Sequence, residues 1–86
     1  MNQQHLKELG GLLVGLNTRE EALAMLKDLL TDSELESVAE RVQILKLLSQ
    51  GMPHRKISET LGVSISKVTR GSHWLQANPA IASKIA

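Results

Sequence analysis

The chain has 86 residues, 42% of them hydrophobic, and a formal net charge of +1. That length sets one small domain, which buries only a modest share of its surface. It contains no cysteine, which excludes disulfide frameworks and cysteine-based metal sites.

Trp74 is the sole aromatic residue, so the core has to be built from Leu, Ile, Val, Ala and Met. No stretch approaches the roughly 18 apolar residues that span a bilayer. The first residues lack the basic start, apolar run and small-residue site of a signal peptide. A cytoplasmic protein with no membrane partner is expected. Charge is unevenly spread. Residues 1–40 carry three basic groups against eight acidic ones, and residues 41–86 carry seven basic groups against Glu59 alone. Such asymmetry points to a polyanion as partner of the second half.

In chain order, Leu6, Leu9, Leu13 and Leu16 mark one face of a first helix. Gly10, Gly11 and Gly15 weaken it by roughly 1 kcal/mol each relative to Ala. Thr18 with Glu21 forms a capping-box signature, predicting a helix over about 19–30 with two adjacent apolar stripes. Thr31 with Glu34 repeats that signature ahead of a helix reaching about Gln50, with Leu35, Val38, Val42, Leu45 and Leu48 near helical spacing. Gly51 suits a helix end, and Pro53 suits the start of a helix over 53–61. A turn at Gly62, Val63 and Ser64 precedes a helix over 65–77. Asn78 and Pro79 break it, and a short helix with Ile81 and Ile85 on one face follows. The fold class is all-α. So many leucines in the first half exceed what one small chain can bury, so a homodimer is expected to cover them. Residues 1–50 would form the helical dimerisation core and 53–77 a helix-turn-helix.

The stretch His54–His73 fits a helix-turn-helix. Ile57, Leu61, Val63 and Val68 are placed to lock two helices across the turn. Ser58 is small where the helices meet, Gly62 permits positive φ, and Ser64 can cap the second helix. Gly71 breaks the general pattern, since Ile or Val usually packs there. The second helix fits a major groove, with its first residues facing base edges of double-stranded DNA. Ile65, Ser66, Lys67 and Thr69 lie there, with Lys67 able to reach a guanine edge or a phosphate; Ser64 and Ser72 are further DNA-binding candidates, and His54, Arg55 and Lys56 would approach phosphates. In a two-fold dimer the two reading helices would lie roughly 34–36 Å apart on a palindromic operator.

Leu30-Thr31-Asp32, Arg41-Val42-Gln43-Ile44, Gly51, Arg55, Leu61-Gly62-Val63-Ser64-Ile65 and Thr69-Arg70-Gly71-Ser72 together resemble the tryptophan operon repressor family. The resemblance covers about residues 20–77, and the Thr-Arg-Gly-Ser stretch is its most specific part. It also accounts for Gly71. It implies an intertwined homodimer that represses transcription with L-tryptophan as corepressor. Arg41 and Arg70 would flank the indole ring, Gly71 would leave room beside it, and Leu30 and Thr31 of the partner chain would receive the polar end. Guanidinium planes stack on aromatic faces and pair with carboxylates, which suits that role. Two features depart from the family. Trp74 stands where a serine usually contacts the ligand, and the connection Gly51-Met52-Pro53-His54-Arg55 is one residue shorter. Trp74 shares a helix face with Arg70, so its indole could enter the pocket or pack at the dimer surface.

An enzyme is not indicated. Asp28, Asp32, Glu34, Glu36 and Glu40 fall on helix starts and polar faces, and His5, His54 and His73 are too scattered for a metal site. Two alternatives to a tryptophan-modulated repressor remain open. One is a DNA-binding dimer that is constitutive or answers another effector, and the other is a helical protein-interaction module without DNA.

Overall fold

The computed structural model describes residues 1–85. Six helices follow in order: α1 (Gln3–Val14), α2 (Arg19–Leu29), α3 (Asp32–Ser49), α4 (His54–Leu61), α5 (Ile65–Ala77) and α6 (Pro79–Ile85). Among the described residues there is no strand, and the all-α expectation holds.

The helix starts follow from their caps. The Asn2 side chain accepts the His5 N–H at 3.0 Å. Thr18 Oγ1 accepts the Glu21 N–H at 3.1 Å, but the Glu21 carboxylate reaches past Thr18 to the Asn17 N–H, also at 3.1 Å. At α3 the capping box closes in full. Thr31 Oγ1 accepts the Glu34 N–H at 3.1 Å, and Glu34 accepts the Thr31 N–H at 2.8 Å. α1 ends at Val14, so Leu16, the last member of the expected leucine stripe, lies beyond it.

The Glu34 carboxyl is held below its ordinary value of 4.5, first by the Thr31 backbone N–H and then by the Thr31 hydroxyl. A carboxylate depressed in the folded state contributes stability above its unfolded value and loses it as pH falls through the folded one. Glu34→Gln keeps a hydrogen-bonding oxygen but cannot titrate. Melting curves from pH 6 down to pH 3 should show the wild type losing stability faster than Glu34→Gln below about pH 4.5. Parallel loss in both proteins would show that the box contributes nothing ionic.

Contacts divide the chain into two compact units, Met1–Leu35 and the remainder from Glu36. In the first unit no residue is buried. Leu6, Leu9, Leu12, Leu13, Leu23 and Leu29 are 40–48% exposed. Their apolar stripes have caps and helical spacing but find no full cover within this unit.

The second unit holds the core. Ile57 and Val68 are completely buried, Ile44 and Val63 nearly so, and Leu47, Leu48, Met52 and Leu61 pack around them. The expected α3 stripe is therefore split. Ile44 carries the burial, Leu45 and Leu48 are half-buried, and Val38 and Val42 stay exposed. From α3 the core cluster takes Ile44, Leu47 and Leu48, together with Ile57 of α4, Val63 of the turn and Val68 of α5.

Two glycines make the corners. Gly51 has φ +83°, with its N–H returning to the Leu48 carbonyl at 3.0 Å and the Met52 N–H to Leu47 at 3.2 Å. This is a Schellman closure, completed by Met52 and Leu47 packing on the same core. Pro53 then serves as N-cap of α4 rather than as its first helical residue. Gly62 has φ +67°, and the Val63 N–H returns to the Ser58 carbonyl at 3.1 Å. The Ser58 hydroxyl donates to the Val63 carbonyl, so one small side chain ties both sides of the turn. Ser64 caps α5 by accepting the Lys67 N–H at 3.3 Å. At the other end Asn78 donates its side-chain amide to the Trp74 carbonyl at 2.9 Å, before α6 begins.

Candidate nucleic-acid and effector interface

The α5 helix presents three faces, each fixed by helical spacing. Val68 enters the core. Lys67, Arg70, Gly71 and Trp74 form a second face at i, i+3, i+4 and i+7. Ile65, Ser66, Thr69 and Ser72 form a third. The α3 helix offers a matching face of Ser37, Glu40, Arg41, Ile44 and Leu45. The second α5 face and this α3 face line a cleft of about 400 Å³.

Gly71 brings the two helices together. A Cβ there would stand 3.2 Å from Ile44 Cγ2 and Leu48 Cδ1 and 3.4 Å from Leu45 Cδ2. The first two distances are tighter than ordinary side-chain contact, so Gly71 lets α5 approach α3 as well as lining the cleft. That explains why it replaces the Ile or Val of a general helix-turn-helix.

The cleft carries three cations, Arg41, Arg70 and Lys67, against one carboxylate, Glu40. Lys67 Nζ donates to Glu40 Oε1 at 2.9 Å. This is the one side-chain ion pair among the described residues, and it joins α5 to α3. Volumes of several hundred Å³ with a few convergent polar groups are typical of small-molecule sites. An apolar wall of Ile44 and Leu45, two guanidinium planes and an indole fit a flat aromatic ligand bearing a carboxylate. Among the described residues no cluster suits a metal ion.

Of the expected ligand residues, Arg41, Arg70, Gly71 and Trp74 are brought together here. Leu30 and Thr31 are not among the lining residues; they form the C-cap of α2 and the capping box of α3. Ser37 and Glu40 line the cleft and were missed in the sequence. Their signal was the spacing from Arg41, which sets Ser37, Glu40, Arg41, Ile44 and Leu45 on one helical face.

The expected DNA-facing residues all belong to the second compact unit. His54, Arg55 and Lys56 form the exposed first turn of α4. Ser64, Ile65, Ser66 and Lys67 are exposed at the start of α5, with the Ser64 and Ser66 hydroxyls 3.3 Å apart. Thr69 and Ser72 are half-buried.

The Trp repressor protein family model matches residues 4–85. The chain belongs to that family. It is a regulatory, non-enzymatic family. A Trp operon repressor homolog from Xylella fastidiosa (strain M23) is 34% identical over 77 residues, spanning 88% of this chain and 84% of the relative. One from Vibrio parahaemolyticus serotype O3:K6 is 44% identical over 75 residues, spanning 86% and 70%. Another, from Photobacterium profundum, is 51% identical over 53 residues, spanning 60% and 52%. No solved structure matches. No helix among the described residues is long and apolar enough to cross a membrane.

Proposed function

We propose that the protein is a homodimeric, DNA-binding transcriptional repressor whose cleft takes L-tryptophan as corepressor. One observation carries this reading: in a chain of the Trp repressor family, Arg41 of α3 and Arg70 of α5 line one cleft, and α5 follows α4 across the tight Gly62 turn. In this scheme Ile65, Ser66 and Thr69 meet base edges, while His54, Arg55, Lys56, Ser64, Lys67 and Ser72 hold phosphates. Arg41 and Arg70 stack on the ligand's ring and pair with its carboxylate, and Leu30 and Thr31 of the partner chain receive its polar end. A ligand wedged between α3 and α5 sets the angle at which α5 meets the groove. The dimer is supported by the exposed leucines of α1 and α2 and by Val38 and Val42 of α3. It would be assembled through residues 1–50, leaving 53–77 to reach DNA in the cytoplasm.

Selection from a random duplex library with L-tryptophan present tests the reading. The expected product is a palindrome with half-sites about one helical turn apart. Thr69→Ala should then relax preference at one base position at a cost of roughly 1–3 kcal/mol, while Arg55→Ala weakens all sequences alike. Recovery of random sequences would sink the specific repressor.

A second reading is favoured by Trp74, which is 40% exposed and lines the same cleft. Its indole could take the corepressor's place and make binding constitutive. Trp74→Ala separates the two. Tighter L-tryptophan binding by that variant in calorimetry supports self-occupancy, and unchanged or weaker binding rejects it.

A further inference from the structure

Lys67 has two destinations. It lies in the first turn of α5, where a DNA-reading helix offers its side chains, yet its amine is held by Glu40 across the cleft. The lysine side chain is 59% exposed and that of Glu40 38%, so the pair can open without breaking the core. Glu40 makes no other side-chain hydrogen bond among the described residues. A lysine paired with a carboxylate offers no charge to a phosphate, and the carboxylate itself is repelled by DNA. We propose that Glu40 is an autoinhibitory latch on the reading helix. It holds Lys67 back until a ligand carrying an ammonium group enters the cleft, takes over the Glu40 carboxylate and frees Lys67 for the phosphate backbone.

The ligand class follows from the charges lining the cleft. Arg41 and Arg70 accept a carboxylate, while Glu40 is the one group there that attracts a cation. A zwitterionic amino acid satisfies both ends at once, and a simple aromatic acid satisfies only one. Because the latch is exposed, its strength is that of a surface ion pair. It biases binding rather than forbidding it.

The proposal rests on α5 being the DNA-facing helix, and the test separates the two ideas. Affinity for a selected duplex is measured against salt for the wild type, Glu40→Gln, Lys67→Met and the double variant. Without ligand, Glu40→Gln should bind about twofold to fivefold tighter per reading helix. Its salt dependence should steepen by roughly 0.9 per freed lysine. In the Lys67→Met background the same change should leave the slope where it was, because no lysine remains to be freed. L-tryptophan should steepen the wild-type slope but not that of Glu40→Gln. Equal slopes for wild type and Glu40→Gln, or an equal gain in the Lys67→Met background, overturn the latch. So does a wild-type slope unmoved by L-tryptophan that calorimetry shows to be bound. If calorimetry shows no L-tryptophan binding, the effector reading fails, and the ligand-free comparison still decides the latch. If neither protein binds any duplex, the DNA reading fails and the latch with it.

Discussion

Ile57→Ala is expected to destabilise the second compact unit by about 2–5 kcal/mol. Ile57 is completely buried and sits among Ile44, Val63 and Val68, with Leu47, Leu48, Met52 and Leu61 around it. Truncation removes three carbons from this cluster and leaves a void. The cluster holds only four buried residues, so few neighbours can shift to fill it. Small domains have roughly 5–15 kcal/mol to lose, and a chain of this size lies near the low end. Urea unfolding followed by helical circular dichroism should therefore move to a markedly lower midpoint. The same truncation at Ile81, which is 48% exposed, should change stability by less than about 0.5 kcal/mol. Equal effects at the two sites would mean that the core has been misassigned. The consequence for function is specific. Ile57 fixes α4 against the turn that launches α5, so its loss should abolish DNA binding without touching any DNA-facing group.

The contrast between Ile57 and Val42 shows what the sequence made legible. Around the turn that joins α4 to α5 the local signals agreed, and Gly71 further along α5 was the exception. Gly62 demanded a left-handed corner, Ser58 and Ser64 offered hydroxyls at the right places, and Ile57, Val63 and Val68 had nowhere else to go. On α3 the stripe through Val38 and Val42 was real, but periodicity says only that a face is apolar. It does not say whether the same chain covers it, and here the burial falls on Ile44 instead. The caps were legible for the same reason as the turn. Thr18, Thr31 and Ser64 act over three residues, a range within which sequence order is nearly spatial order. The one imperfect case, Glu21 bonding Asn17 rather than Thr18, is a shift of a single residue.

The cleft was half legible. Arg41 and Arg70 emerged through resemblance to a family, not through spacing, since nothing in the sequence brings two positions so far apart to one place. Glu40 carries no signal of its own in the sequence, because a carboxylate on a polar helical face has an ordinary explanation. Its meaning appears only once Lys67 is seen 2.9 Å away. The family resemblance makes Gly71 room for a ligand. The structure adds a second reason for it, the near contact of α5 with Ile44 and Leu48 of α3.

Arg70→Ala is expected to remove the dependence of DNA binding on L-tryptophan. Allosteric couplings of this kind typically amount to about 1–3 kcal/mol, or roughly a 5- to 150-fold change in affinity. Arg70 stands on α5 four residues before Trp74 and lines the cleft together with Arg41, so it joins the proposed reading helix to the proposed ligand space. Removing it leaves one guanidinium plane where a flat ring needs two, and it removes a carboxylate partner. Measured affinities with and without L-tryptophan should then converge on the ligand-free value. Arg70→Lys sharpens the test. Lysine keeps the charge but not the planar surface or the two-pronged donor geometry. If stacking carries the coupling, Arg70→Lys should behave like Arg70→Ala; if charge alone carries it, most of the response should survive. A full response in Arg70→Ala itself would place the effector outside this cleft. Because Arg70 is exposed and outside the core cluster, both variants should keep the wild-type melting temperature within a few degrees, so a lost response cannot be ascribed to unfolding.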